Sequence, residues 1–121
     1  MIKVLVVDDS PTEIFHFRDL LEKLGYQVIT AENGRDGVAM ATAEQPDVVL
    51  MDIVMPDMNG FQATRQICRG AKTSHIPVII VSSKDQETDK VWGQRQGASG
   101  YLTKPVDVDT LLSVMKSLIT Q

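Results

Sequence analysis

Four hydrophobic stretches of the chain end in polar residues of the kinds that bind cations and phosphate. The residues that follow the stretches are Asp8-Asp9, Asp52, Ser82-Ser83 and Lys104-Pro105. Carboxylates are ligands for hard divalent cations, and hydroxyl and ammonium groups bind phosphoryl oxygens. If the stretches are parallel strands, their carboxyl ends lie at one edge of a sheet. The pattern therefore predicts one site that holds a divalent cation and a phosphoryl group.

The acidic residues are informative only as a set. Asp8 and Asp9 alone would more often be a solvated turn. With Asp52 added, each pair of carboxylates repels by roughly 4 kcal/mol at 4 Å and an effective dielectric constant of about 20. A cation or a shared proton must relieve that repulsion. Because the ligands are oxygens and no histidine is near, we expect Mg²⁺, with Mn²⁺ as a substitute.

The remaining polar residues each have an ordinary alternative. Lys104 could be a solvated charge, but at a strand end we expect it to point into the crevice and pair with a phosphoryl oxygen. Its bond to Pro105 is a candidate cis peptide. Taken alone, Ser82 is about equally suited to binding a phosphoryl group and to capping the next helix. Asp52 stands alone between the other strand ends, so it is the best candidate nucleophile, and its attack on phosphorus would form an acyl phosphate.

Five hydrophobic segments alternate with helical ones along the chain. The predicted strands are residues 2–7, 26–30, 48–51, 78–81 and 101–103. Short apolar runs rich in Val and Ile are typical of parallel strands buried on both faces. The alternation predicts an α/β fold: a doubly wound, five-stranded parallel (βα)5 sheet, flavodoxin-like, with strand order 2-1-3-4-5. The order reverses between the first and third strands, which end at Asp8-Asp9 and Asp52.

Capping signals place the helices. Residues 10–13 read as a capping box with proline at the first helical position, and Gly25 ends that helix. Asp107 is expected to cap the last helix. Residues 84–96 are nearly all polar, so a helix there should be held loosely. Trp92 either covers this helix or marks a partner surface.

Size and composition exclude several classes of protein. We expect residues 1–121 to form a single domain with no output domain, and a monomer. A net charge of −4 argues against nucleic acid or an anionic membrane as partner. One cysteine, Cys68, and the lack of a signal peptide or spanning segment predict a cytoplasmic protein. His16 and His75 read as surface residues.

Over its whole length the chain resembles the response-regulator receiver domains (CheY-like) of two-component signalling. The segments that carry the resemblance are Val6-Val7-Asp8-Asp9-Ser10, residues 51–60, Val81-Ser82-Ser83, Gly97-Ala98 and residues 101–105. The resemblance implies that Asp52 is the phosphoacceptor. It also implies that Asp8, Asp9, Asp52 and the backbone carbonyl of Val54 bind Mg²⁺.

The same resemblance assigns the other roles. Ser82 and Lys104 would contact the phosphoryl group, and Tyr101 would move with Ser82 as a switch. The donor would be the phosphotransfer domain of a CheA-like histidine kinase, and the downstream partner is open. Residues 8–13, 60–65 and 84–93 are similar to stand-alone receivers of the type IV pilus chemosensory system, which implies a role in twitching motility.

Other functions fit the residues less well. Aspartyl phosphatases carry a general acid two residues after the nucleophile, where this chain has Val54, so we expect no enzyme beyond self-phosphorylation and self-dephosphorylation. The full set of acids, hydroxyl and lysine argues against a receiver that is never phosphorylated. A flavin carrier would suffer repulsion between its phosphate and Asp8-Asp9. Whether the protein binds an effector or acts as a phosphate sink for the kinase stays open.

Overall fold

The computed structural model describes residues 1–119, which form five strands alternating with five helices. The elements in chain order are β1 Lys3–Val7, α1 Pro11–Lys23, β2 Gln27–Ala31, α2 Gly34–Glu44, β3 Val48–Met51, α3 Gly60–Arg69, β4 Val78–Ser82, α4 Glu87–Arg95, β5 Gly100–Thr103 and α5 Val108–Ile119. Each predicted strand exists, with ends shifted by at most one residue.

The strands form one parallel sheet in the order β2-β1-β3-β4-β5. This confirms the predicted doubly wound α/β fold. Val7 pairs with Met51, and Ser82 pairs with Thr103. Because these four residues end their strands, the residues that follow them emerge at the same edge of the sheet.

The helices cover both faces of the sheet, so the core has two layers. On one face, side chains of β1, β3 and β4 pack with α1 and α5 around Phe17, Leu21, Leu111 and Met115. On the other face, alternate residues of the same strands pack with α2 and α3 around Ala41, Ala63 and Ile67. β1, β3 and β4 bury residues on both faces, as their continuous apolar sequences predicted.

The first helix is capped differently from the prediction. Ser10 Oγ accepts a hydrogen bond from the Glu13 N–H at 3.3 Å, and Pro11 occupies the first turn. The reciprocal half of the predicted capping box was wrong, because the Ser10 N–H donates to Asp8 Oδ1 at 2.9 Å instead. The α1 start is thereby tied to an acidic residue of the strand edge. Gly25 follows the helix with a φ of 93°, as expected.

The helix α4 buries little. Gly93 is its only buried residue, and Trp92 is 49% exposed. Gln86 is the N-cap residue of the helix, and its N–H donates to Asp89 Oδ2 at 3.2 Å, so Ser82 does not cap the helix. The last helix begins as predicted, since Asp107 Oδ2 accepts from the Thr110 N–H at 2.9 Å.

The histidines and the cysteine lie away from the sheet edge. His16 and His75 are exposed. Cys68 is half-buried, and its Sγ donates to the Gly97 carbonyl oxygen at 3.3 Å. None of the helices within residues 1–119 combines the length and apolar content needed to cross a bilayer.

Candidate functional site

Backbone hydrogen bonds hold the functional residues one step beyond the strand ends. The Asp52 N–H donates to the Val7 carbonyl at 3.0 Å, and the Lys104 N–H donates to the Ser82 carbonyl at 2.8 Å. The Asp8 N–H donates to the Ala31 carbonyl at 3.1 Å. Each residue is therefore positioned by the sheet rather than by a free loop. The Lys104-Pro105 peptide is cis.

The three carboxylates converge. Asp8, Asp9 and Asp52 each offer a ligand oxygen, and these oxygens lie within 4.8 Å of one another. Asp8 is buried and Asp9 is exposed, while the Asp52 side chain is 12% exposed. Burial raises the pKa of Asp52, and the Asp8 charge raises it further, while Lys104 opposes the shift. Ionised Asp52 is thus held in surroundings that favour a nearby cation.

Lys104 lies inside this cluster. Its Nζ is 3.1 Å from Asp8 Oδ2 and 3.6 Å from Asp52 Oδ1. Burial lowers the pKa of Lys104, but the charges of Asp52 and Asp8, with the Asp8 hydrogen bond, outweigh burial and raise the pKa overall. The ammonium therefore stays protonated at neutral pH. It neutralises part of the acidic charge and lies beside the proposed acceptor oxygen.

Ser82 and Tyr101 meet at the backbone of Lys84. Ser82 is buried, and its Oγ accepts a hydrogen bond from the Lys84 N–H at 3.1 Å. The Tyr101 hydroxyl donates to the Lys84 carbonyl oxygen at 2.6 Å. Burial raises the pKa of Tyr101, and a hydrogen bond with the Ser82 side chain opposes that shift. The hydroxyl and the ring are thus connected through the segment between β4 and α4.

Sequence reasoning missed Gly60, which packs directly against the backbone of Asp52. A Cβ at position 60 would lie 1.9 Å from the Asp52 carbonyl oxygen. The Gly60 N–H donates to the Ile53 carbonyl at 2.8 Å, and Ile53 is buried. Gly60 falls within residues 51–60, which carry the resemblance, but no role was assigned to it, and Asn59-Gly60 at a helix start reads equally well as an ordinary cap. Gly60 lets α3 begin in contact with the loop that follows Asp52.

The donor set fits a hard divalent cation. Three carboxylates at one edge supply oxygens only, and their mutual repulsion is neutralised in part by Lys104. Mg²⁺ needs few protein ligands because it retains waters and phosphate oxygens. The Val54 side chain is 63% exposed in the same loop, and the role of its carbonyl stays a prediction.

Comparison with known proteins places the chain in a family. Residues 4–116 match the response regulator receiver domain family. The chain is a response regulator receiver domain. It is therefore a two-component signalling module rather than an enzyme that turns over a separate substrate.

Relatives support this assignment along the full length of the receiver domain. It is 65% identical to Protein PilH of Pseudomonas aeruginosa, covering 98% of each chain. It is 39% identical to Protein PilG of the same organism, over 96% of this chain and 86% of PilG. The solved structure of the chemotaxis protein CheY4 of Vibrio cholerae superposes with a TM-score of 0.90 at 32% identity, covering 98% of each chain.

Proposed function

We propose that this receiver accepts a phosphoryl group on Asp52 from a phosphohistidine of a partner histidine kinase. The observation that carries the proposal is the position of the Asp52 carboxylate, which lies between two other carboxylates and the Lys104 ammonium. In the transfer, an Asp52 oxygen bonds to phosphorus as the phosphorus–nitrogen bond breaks, and the histidine nitrogen keeps the electron pair. The product is an acyl phosphate on the receiver.

The charges at the strand edge suit this transfer. Lys104 would move its ammonium from the carboxylates to the incoming phosphoryl oxygens, where negative charge accumulates. Asp8, Asp9, Asp52 and the Val54 carbonyl would hold Mg²⁺, or Mn²⁺ in its place. When bound, the cation supplies positive charge that offsets the repulsion between the phosphoryl group and the acids.

The hydroxyl at position 82 would report the modification. Ser82 and Tyr101 are connected through Lys84, whose N–H donates to Ser82 Oγ and whose carbonyl oxygen accepts from the Tyr101 hydroxyl. If the Ser82 O–H donates to a phosphoryl oxygen, Ser82 would shift the Lys84 backbone, and Tyr101 would lose its hydrogen bond and turn inward. The surface around Tyr101 and α4 then changes shape, which is a shift between two states that only the phosphorylated form favours.

The biological setting is inferred from relatives. Similarity to PilH and PilG supports a place in type IV pilus and twitching-motility control, with a CheA-like kinase as donor. We infer that the protein is cytoplasmic and monomeric. It would act by binding a protein partner, or alternatively by draining phosphate from the kinase as a sink.

Intact mass measures the proposed reaction directly. Acetyl phosphate and Mg²⁺ should add one phosphoryl group to the wild type. Asp52→Asn and an EDTA-treated sample should gain none, because each lacks a component of the site. Asp47→Asn, which changes an exposed acid at the opposite end of β3, should be modified normally. An unmodified wild type, or modification of Asp52→Asn, would overturn the proposal.

A further inference from the structure

We infer that a basic groove between α2 and α3 is a docking site for an acidic helix of a protein partner. The groove has a volume of about 530 Å³. We call it the arginine groove, and its principal lining residues are Arg35, Met58, Gln62, Arg65, Gln66 and Arg69. Its lining includes no residue of α4, and it opens beside the loop that follows Asp52.

Positive charge is concentrated in this groove, although the chain as a whole is acidic. The net charge is −4, yet the arginine groove has three exposed guanidinium groups and one carboxylate, that of Asp57. Within residues 1–119, the side chains of Arg35, Arg65 and Arg69 form no ion pair with the protein. Their donors are available to an external acceptor.

Helix stability accounts for only one of these arginines. Arg69 lies in the last turn of α3, where the helix dipole favours a cation. Arg35 lies in the first turn of α2, where the dipole disfavours a cation. Arg65 is four residues before Arg69, so two like charges face each other on one surface. The position of Arg35 and the Arg65–Arg69 pair are unfavourable in the isolated domain. An anionic partner would convert them into favourable ones.

The spacing on α3 indicates the shape of the partner. Gln62, Arg65, Gln66 and Arg69 occupy positions i, i+3, i+4 and i+7, so they form one ridge along the helix. A partner helix with carboxylates at the same spacing can place them along that ridge. Arginine forks and glutamine amides both donate hydrogen bonds to carboxylates.

Other anionic occupants fit less well. The arginine groove has no aromatic side chain on which a nucleic-acid base could stack. A second copy of this chain would have to place a different, acidic surface in the groove. Such a head-to-tail contact would build rings or filaments of this chain. A separate protein with an acidic helix requires neither a stacking surface nor self-assembly.

The arginine groove shares a loop with the proposed acceptor. Met58 lines the groove, and its carbonyl oxygen lies close to Gly34, where an added Cβ would be 2.8 Å away. The same loop ends at Gly60, which rests on the Asp52 carbonyl. Docking here is therefore next to the site of phosphorylation, although it does not require that Asp52 is modified.

A designed peptide tests the inference. The probe is a helical peptide with glutamates at i, i+3, i+4 and i+7, titrated into isotope-labelled protein at 150 mM salt. We expect amide chemical-shift changes confined to residues 35 and 57–69. Arg65→Gln/Arg69→Gln should weaken binding about tenfold or more, because charge-assisted hydrogen bonds are lost. The matched control, Lys90→Gln/Arg95→Gln, removes two exposed charges from α4 and should bind as the wild type does.

Three results would overturn the inference. One is equal weakening in the groove variant and the α4 control, which would indicate diffuse attraction between charges. The second is unchanged affinity when the glutamates are rearranged so that they no longer share a face. The third is tighter binding of a single-stranded oligonucleotide of equal charge, which would make the partner a nucleic acid. Acetyl phosphate labelling of Asp52 in both variants shows that they remain folded.

Discussion

Asp52 carries its charge in surroundings that oppose it. Burial and the neighbouring Asp8 raise its pKa, and Lys104 at 3.6 Å only partly offsets them. An ionised carboxylate in this position costs stability in the metal-free protein, and a bound cation would lower that cost and offset the negative charge of an incoming phosphoryl group. The Asp52 charge thus lowers the stability of the metal-free fold. A bound cation together with a phosphoryl group would restore that stability.

Removing this charge should stabilise the metal-free protein. Because the folded-state pKa of Asp52 is raised from 3.8, the wild type loses stability as pH rises from about that value through the folded-state pKa. Asn does not titrate, so Asp52→Asn should be more stable than the wild type by on the order of 1 kcal/mol at neutral pH, and the difference should vanish at a pH below the unfolded-state pKa of the carboxyl. Urea unfolding in EDTA at several pH values measures this difference.

A surface carboxylate provides the control for this measurement. Asp19→Asn removes an exposed ion pair with Lys23 and should change stability by less than about 1 kcal/mol at every pH. If Asp52→Asn proves less stable than the wild type at neutral pH, the attraction to Lys104 exceeds the burial cost, and the electrostatic account of the site is wrong.

At the scale of elements, the loop between β3 and α3 is as important as the strand ends. Ile53 and Met55 bury their side chains, while Val54 between them points to solvent. The two buried side chains anchor the loop in the core. At the end of the loop, Gly60 allows α3 to begin in contact with the Asp52 carbonyl. The loop therefore joins Asp52 directly to the start of α3.

A methyl group at position 60 should disrupt this contact. Gly60→Ala places a Cβ where the Asp52 carbonyl oxygen lies, so the loop or the helix must shift. We expect a loss of about 1–3 kcal/mol in the free energy of unfolding, together with slower phosphorylation by acetyl phosphate. Both quantities are measured on the same preparation.

Gly100→Ala is a matched control for that substitution. Its added Cβ would lie 3.3 Å from a side-chain methyl of Val114, which can move by a few tenths of an ångström. Stability should change little, and labelling of Asp52 should keep its wild-type rate. Equal effects of the two substitutions would show that contact with the Asp52 carbonyl has no special importance.

For the molecule as a whole, folding and cation binding are linked. The acidic cluster exists only when β1 and β3 pair, since Val7–Met51 pairing is what places Asp8 beside Asp52. A ligand that binds the folded state and not the unfolded chain stabilises the fold by mass action. We therefore expect Mg²⁺ binding at the acidic cluster to increase the stability of the entire domain.

Magnesium should raise the free energy of unfolding by about 2.7 kcal/mol at a free concentration of one hundred times its Kd. Asp9→Asn removes an exposed ligand and no core packing, so it should abolish most of this gain while leaving stability in EDTA nearly unchanged. Thermal unfolding with and without Mg²⁺ measures both. Full magnesium stabilisation of Asp9→Asn would exclude this carboxylate as a ligand.

Local sequence signals predicted the elements well and their ends less well. Buried strands and the Asp107 cap were readable, because apolar runs and capping residues act over a few positions. The reciprocal half of the predicted Ser10–Glu13 box was wrong, since Asp8 competes for the Ser10 N–H. That competition depends on where β1 ends relative to α1, which no spacing rule describes.

The order of apolar and polar segments in this chain determined the architecture, because continuous hydrophobic runs can be buried on both faces only between two layers of helices. It also determined which polar side chains would reach the sheet edge. Tertiary structure alone decided the contacts among these groups. The Lys104 ammonium lies beside Asp8 and Asp52, and the Tyr101 hydroxyl donates a hydrogen bond to the Lys84 carbonyl. Gly60 packs against the Asp52 carbonyl. Such contacts join residues far apart along the chain, so their geometry depends on the packing of whole elements rather than on local sequence.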